Sequence, residues 1–595
     1  MEFVHLHTAS SYSIRYGATS PEDLVAAAVE LGFSTLALTD RDGLYGSIKF
    51  IQAASAANLK PVLGLELELL DTELVELTNP RFGGGVRDSQ RARVTVLSRG
   101  RLGFVALNRL ASAVAELGGI SPLVLKEIIE LTNAEIFLLL GSESDFGRAV
   151  LSRSSDVALQ IFRDWQAAGS KVAVEVVSHR ARDIQTTPVS VAGLTRHGAS
   201  YSTPMAARLL RFAISQKLPA VLTNAVRYAT RSQAKVVDVL DATRRLVTLS
   251  GNSVDRSNAE GFLKSANEMW ELLLEIGQSA AADLSDLKRV WELTNQIGNY
   301  CVIDPAQDMG IGQVFVPELD VILNPKPQNQ NYSWNRALAP YRTAETIARE
   351  ANLAAEILRS RTYAALTEPR YQKEFSTAEL HQRLEAELAV VQQLGFASFF
   401  LTVAEVVSIT KQMGIRVAAR GSGAGSLINH LLGISALHPL SHGFVMERFL
   451  SPLRSSLPDI DIDVESHRRL EVYQAVFNRF GADRVAAVSM MDTYRVRHAI
   501  RDVGKALALP AAEIGIMAKA FPRIRARDIR RALTELPELA QSGLGKLHAS
   551  GALNHFVELV EGLDKLPRNV AMHPCGVLLS DSALLDRTPV QASGA

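Results

Sequence analysis

Pro458-Asp459-Ile460-Asp461-Ile462-Asp463 is the stretch from which the rest of the chain is read. Asp and Ile alternate with the period of two of a β-strand, so Asp459, Asp461 and Asp463 fall on one face and Ile460 and Ile462 on the other. The isoleucine face can pack. The other gathers carboxylates whose mutual repulsion costs stability unless cations neutralise it, which suits a hard ion such as Mg2+. A solvated edge strand charged against aggregation has the same pattern. Upstream, the apolar run Ile415 to Ala419 leads into Arg420-Gly421-Ser422-Gly423-Ala424-Gly425-Ser426, and Leu427 to Leu432 follows. Strand, glycine turn and helix in that order predict backbone N–H groups and a helix N-terminus that cradle an anion, with Arg420 and the Ser422 hydroxyl as added donors. The turn lacks the Lys of a P-loop and the full dinucleotide fingerprint, and gains weight from its pairing with the aspartate strand. The two together suggest phosphoryl-group chemistry.

At 595 residues the chain is too long for one core, and three or four domains are expected. Lys plus Arg equals Asp plus Glu at 63 each, so attraction to nucleic acid must come from local patches. The segment Met517 to Ala532 is such a patch: Lys519, Arg523, Arg525, Arg527, Arg530 and Arg531 face a single acid, Asp528. Phosphate contacts are its natural use, and a solvated basic helix is the plainer alternative. Arg495, Arg497 and Arg501 recur at helical spacing nearby. Only Cys301 and Cys575 are present, which excludes a disulfide framework and a thiolate zinc site and fits a reducing cytoplasm. No apolar run reaches the roughly eighteen residues that span a membrane, and the N-terminus lacks an export signal, so neither membrane insertion nor export is expected.

From the N-terminus, Phe3-Val4-His5-Leu6-His7 reads as a short strand whose two His share a face. Ser20 with Pro21 and Asp23 caps a helix that Gly32 closes. Ser34 to Thr39, Gly46 to Ala57 and Pro61 to Glu66 then read as strand, helix and strand. That alternation predicts a parallel sheet or barrel with His7, Asp40 and Glu66 at the C-terminal ends of its strands. His-x-His on one strand is a metal signal, which two satisfied histidines also fit. Pro80 to Gly85 and residues 181–204 read as loops. Gly261 to Gln296 is helical in period, with Trp270 and Trp291 as core anchors. Phe315 to Pro340 is an irregular connection. Helices from Ser376 to Gly395, opened by a capping box, and from Phe399 to Gly414 supply packing under the aspartate strand.

RGSGAGSL at 420–427, MERFLSPLRSSLPDIDID at 446–463, RFGADRVAAVSMMDTYRVRHAIRDVGKALAL at 479–509 and MHPCGVLLS at 572–580 resemble the palm and thumb of the bacterial DNA polymerase III alpha family, in order and at similar spacing. FVHLHTASSYS, LALTDRDGLYGSIKF and PVLGLELEL resemble the PHP domain with which that family begins. The TYRVRHAIRD wording is closer to its error-prone or actinobacterial branches. The resemblance implies an α/β multidomain chain: a PHP-type β/α barrel over residues 1–255, a nucleotidyltransferase-like (Pol beta-like) α+β palm with its helical approach over 256–490, a helical thumb over 491–570, and a return to the palm over 571–595. In the palm, Asp459 and Asp461 match the family's catalytic, Mg2+-binding aspartates. Arg420, Gly421, Ser422, Arg448 and Arg454 match or adjoin its nucleotide-phosphate contacts, and Asp463 is either a further ligand or a structural carboxylate. Primer-template DNA and dNTPs are the implied partners.

The same resemblance marks two departures. His5, His7, Asp40 and Glu66 stand at PHP metal-ligand positions, but Tyr16, Arg41, Arg93, Ala225 and Arg227 stand where the family has its remaining ligands. A guanidinium cannot ligate a metal, yet it can replace one electrostatically by pairing with Asp40 or Glu66. A degenerate, metal-free PHP domain serving as scaffold is therefore expected. The family's third catalytic aspartate, its fingers and the segments that bind a sliding clamp and other replisome subunits lie beyond what Ala595 reaches, so the polypeptide alone is expected not to extend primers. A PHP phosphoesterase with a vestigial palm and a non-catalytic DNA-binding scaffold are the competing readings.

Overall fold

Helices begin at the side chains that cap them. In the computed structural model, Ser20 accepts a hydrogen bond from the Asp23 N–H at the head of Pro21–Glu30, and Ser376 with Glu379 completes a capping box before Thr377–Gln393. The structure describes residues 2–70, 91–181, 189–191, 194–196, 201–249, 258–324, 331–340, 342–368, 376–453, 457–458 and 460–592. Asp459 and Arg454, with the loop read over Pro80 to Gly85, lie outside the described residues.

Two compact units divide the chain: residues 1–311, 489–572 and 586–595 form the first, residues 312–488 and 573–585 the second. In the first, β1 (Thr35–Arg41), β2 (Lys60–Glu68), β3 (Arg93–Ser98), β4 (Ile136–Leu140), β5 (Lys171–Val177) and, after the hairpin of β6 (Val189–Val191) and β7 (Leu194–Arg196), β8 (Ala220–Thr223) make one sheet in the order β1-β2-β3-β4-β5-β8. The N-terminal segment closes it. His5 bridges Leu36, Thr8 bridges Val226, and the Ala37 and Ala9 N–H groups donate to His5 and Val226 carbonyls. The result is a closed barrel, with one correction to the parallel sheet expected from sequence. β3 runs antiparallel to both β2 and β4. The sequence joining β2 to β3, with Pro80 and Gly83 to Gly85, lacks the helical period a parallel crossover needs, and an antiparallel pair needs none.

Each strand of the ring gives one side chain to an apolar layer: Leu6, Ala37, Val62, Leu97, Leu139, Ala173 and Val221, closed by Ile297 and Cys301. Two residues along the strands from that layer stand Thr95, Glu175 and Thr223, with Glu66 opposite Thr95 in register, all buried, so the barrel changes from oil to charge within one step. Helices Ala266–Ala280 and Leu284–Tyr300, grouped with the palm in the sequence reading, pack on this unit instead: Trp291 lies 4.7 Å from Phe3 and edge-on to Trp270 at 5.2 Å. The helices of 489–572 share a core with Ala234–Arg245, in which Val237, Leu240, Ile500, Val503, Val557 and Val560 are buried.

The second unit is mainly helical. Ala344–Leu366, Thr377–Gln393 and Ala397–Gln412 enclose Leu358, Leu384, Phe400, Leu427 and Phe449. On this base lies a two-stranded sheet of β9 (Val417–Arg420) and β10 (Asp461–Val464), paired antiparallel. Ile462, with Val417 and Ala419, packs on Ala404, Val407 and Ile434, while Asp461 and Asp463 face out, the alternation the Asp-Ile pattern predicts. Among the described residues no single helix is long and apolar enough to cross a membrane.

Candidate palm site and a cation-filled barrel mouth

At the charged end of the barrel, three cations surround one carboxylate. Arg41 donates to both oxygens of Glu66, Nε to Oε2 at 2.7 Å and Nη2 to Oε1 at 2.9 Å, and Arg93 Nε donates to Oε1 at 3.1 Å. Arg93 also reaches Asp42 at 2.6 Å and Glu68 at 2.9 Å. His7 lies between two acids, with Nδ1 2.7 Å from Glu175 and Nε2 3.6 Å from Glu66. Burial opposes charging of every group here, and the pairing overrides it. The arginines, with His7, hold the Glu66 carboxyl well below its ordinary range, and Glu175 with Glu66 raises His7 to about 10. Tyr16 is the platform of this arrangement, its ring 3.2 Å from the Arg41 guanidinium carbon and 4.0 Å from that of Arg227.

Of the four residues that the resemblance sets at metal-ligand positions, the structure brings together only His7 and Glu66. Asp40 accepts hydrogen bonds from the Ser10 and Ser13 hydroxyls at 2.7–3.0 Å and from the Ser10 N–H, and burial raises its carboxyl to about 6 despite them. His5 turns to the Lys264 carbonyl at 2.8 Å, and burial lowers it to about 4. The two His of the motif do not converge, because residues 3–9 touch their neighbours at isolated bridges and not along a regular strand. Arg227 pairs with neither Asp40 nor Glu66. It forks onto Asp241, at 2.5 and 3.2 Å, and donates to the Tyr16 carbonyl, while Ala225 adopts a φ of 41° beside it. Among the described residues no group of three or more His, Cys, Asp and Glu side chains is arranged to hold a metal.

Sequence reading missed Glu175, Asp241 and Lys264. Glu175 could have been found as the one acid in the apolar run Val172 to Val177. Lys264, 1% exposed, is held by Asn224 Oδ1 at 3.1 Å and the Glu260 carboxylate at 3.3 Å, and burial lowers it to about 8.

In the second unit, register sets Asp461 opposite Arg420, at the mouth of the glycine turn. Gly421 has a φ of 73°, a left-handed conformation that favours glycine, and a Cβ built on it would lie 3.5 Å from Asp461 Oδ2. Gly421 and Ser422 are exposed, whereas Gly423 to Asn429 are buried. Arg420 Nε donates to Asp463 at 3.0 Å and its Nη1 lies 4.0 Å from Asp461. The arginine thus leans over the carboxylate face and does not extend the turn as an extra phosphate donor. Arg448 is exposed on the turn Met446–Arg448, and the preceding Val445 carbonyl sits 3.1 Å from where a Cβ on Gly425 would be.

The helix end expected to take a phosphate is occupied from within. Glu387, fully buried, accepts from the Leu427 N–H at 3.0 Å, the Ile428 N–H at 3.1 Å and the Ser426 hydroxyl at 2.9 Å. Only the outer part of the turn, Gly421 and Ser422, is left to meet an anion.

The basic segment is partly self-neutralised. Arg525 pairs with Asp564 at 2.8 Å, Arg530 with Glu561 at 3.1 Å and Arg531 with Glu535 at 2.6 Å, and Arg527 lies 3.9 Å from Asp528. Arg497 donates to the Phe521 carbonyl at 2.8 Å, and Arg501 sits over the carbonyl of Arg497 at 3.4 Å. Lys519, Arg523 and Arg495 are exposed. A bridge between Arg495 and Arg525 lays the two basic segments side by side.

Two family models match the chain. The bacterial DNA polymerase III alpha NTPase domain matches residues 356–595 and the PHP domain residues 5–179. The error-prone DNA polymerase of Symbiobacterium thermophilum is 29% identical over 99% of this chain and 48% of its own length. The DNA polymerase III subunit alpha of Buchnera aphidicola is 27% identical over 99% of this chain and 45% of its own, and the error-prone DNA polymerase of Mycobacterium bovis 27% identical over 99% and 47%. The chain spans about half the length of the curated relatives it matches.

Proposed function

We propose that this chain, a member of the bacterial DNA polymerase III alpha family, carries the nucleotide-binding palm and a DNA-facing basic surface of a DNA-directed DNA polymerase. The observation that carries this reading is the approach of the Asp461 carboxylate to the Gly421 turn. Asp461 is half exposed, and its nearest ion-pair partner, Arg420, lies at 4.0 Å, so the carboxylate is open to a cation. Asp461 with Asp459 would hold Mg2+, which when bound supplies the charge that draws the primer hydroxyl and the triphosphate together. The Ser422 hydroxyl and Gly421 N–H would take phosphate oxygens of an incoming dNTP, and Arg448 and Arg454 would offset its remaining charge. Asp463, held by Arg420, serves as a structural carboxylate. Primer-template DNA is the substrate, the whole protein's partners would be a sliding clamp and other replisome subunits, and the compartment is the cytoplasm.

In this reading Lys519, Arg523 and Arg495 contact DNA phosphates directly, and Arg525, Arg530 and Arg531 serve mainly to hold the helices. Arg523→Ala is expected to reduce the slope of log affinity against log salt by about 1 for primed DNA, while Arg530→Ala leaves it unchanged. Filter binding between low and moderate salt checks this; equal slopes for both variants would remove the distinction.

For the barrel, the pairing of Arg41 and Arg93 with Glu66 favours a metal-free scaffold over a PHP phosphoesterase. Purified protein dialysed against zinc and manganese is expected to retain neither in stoichiometric amount and to hydrolyse no phosphodiester at this site. Elemental analysis with bound metal near one equivalent, removed by Glu66→Gln, would restore the phosphoesterase reading.

A further inference from the structure

The glycine turn is anchored from beneath by a pair that lies outside the stretches quoted above. Glu387 lies on Thr377–Gln393 at the spacing of Leu380, Leu384 and Val391, a column of core positions, yet it is a carboxylate with no exposed surface. A buried carboxylate persists only if its oxygens are satisfied, and four donors satisfy these: the Ser426 hydroxyl, the Leu427 and Ile428 N–H groups, and Arg383 Nε at 2.7 Å. Arg383 Nη2 then donates to the Gly425 carbonyl at 3.0 Å, and the buried Asn429 amide donates to the Gly423 carbonyl at 2.9 Å. Every residue from Gly425 to Ile428 is thus tied to one helix, while Gly421 and Ser422, a few residues earlier, stand free at the surface beside Asp461.

We propose that Arg383 and Glu387 are positioning residues for the nucleotide: they fix the inner half of the glycine turn so that the Ser422 hydroxyl and Gly421 N–H are presented to the phosphates of a dNTP next to Asp461. The inference rests on the palm reading above. A glycine-rich turn has more backbone freedom than any other sequence, and an anchor that removes that freedom before the ligand arrives strengthens binding without touching the ligand. Glu387 also neutralises the N–H groups of the short helix that follows, which directs an incoming anion to the outer end of the turn.

The test uses the full chain with dATP and Mg2+ in isothermal titration calorimetry. Wild-type protein is expected to bind, and Arg383→Gln and Glu387→Gln each to weaken binding roughly tenfold, non-additively with Ser422→Ala because all three act through one turn. Arg383→Gln removes only donors at a partly exposed side chain and keeps the test valid if Glu387→Gln does not fold. Hydrogen exchange at residues 421–428 is expected to quicken in both variants, a readout independent of nucleotide. Folded variants that bind dATP as tightly as wild type, or whose losses simply add to that of Ser422→Ala, overturn the positioning role and leave the palm reading standing. Absence of Mg2+-dependent binding by the wild-type chain overturns both.

Discussion

Replacing Glu66 with alanine is expected to destabilise the barrel by about 3–5 kcal/mol, since it leaves Arg41, Arg93 and His7 buried together with too little opposing charge. Glu66 is 2% exposed and the Arg41 side chain 18%, so solvent screens little of this loss. Hydrogen exchange in β1 and β2 reads it locally, which matters in a chain of two units where one global transition is not guaranteed. Replacing Glu66 and Arg41 together by leucine and methionine should recover part of the loss, because an apolar pair of similar volume needs no counter-ion. If Glu66→Ala costs under about 1 kcal/mol, the range of a surface pair, the cations are not held as described.

The same cluster sets a pH window whose signs differ by group. His7 is raised to about 10 from an ordinary 6.5, so its stabilisation is complete below about 6.5 and fades as pH rises through 10. Glu66 is depressed, so its contribution is present above its usual range and is lost in acid. Asp40, raised to about 6, acts in the opposite sense: the folded barrel favours its protonated form, and stability falls as pH rises above about 4 until the group is ionised past 6. Together they predict greatest barrel stability in mildly acidic to neutral solution, with His7→Gln flattening the alkaline limb. An unchanged alkaline limb in that variant would contradict the assignment of charge to His7.

What was legible in the sequence was local. Ser20, Ser376 and the Asp-Ile alternation each state their structure within four residues, and each helix or strand formed there. Arg41, Arg93 and Arg227 were also visible as cations, since that needed only identity at a position. Partners were not. Glu175 meets His7 across 168 residues and Glu387 meets Leu427 across 40, and nothing in local propensity records such a meeting. Gly-rich turn and following helix suggested a free helix end, and the structure fills that end with a carboxylate whose only trace in the sequence is an acid in a column of leucines. His5 and His7 failed to converge because alternation holds only along a regular strand.

The second large effect concerns the palm. Asp461→Asn keeps the size and shape of an exposed side chain, so the fold of the second unit should be unaffected while the charge that draws the cation is lost. Losing a charged partner worth about 3 kcal/mol corresponds to roughly a hundredfold in affinity for Mg2+ with dNTP. Asp463→Asn, by contrast, removes mainly the partner of Arg420 and should cost far less. Comparable losses in the two variants would mean that the face works as a diffuse acidic surface and not as a site centred on Asp461.

Titrating dATP into the full chain with and without Mg2+, in wild type and in Asp461→Asn, tests the central claim most directly. Saturable binding that needs Mg2+ and disappears with the aspartate is the predicted result. Binding that is indifferent to the metal, or that survives Asp461→Asn unchanged, would contradict the placing of the nucleotide between β10 and the Gly421 turn.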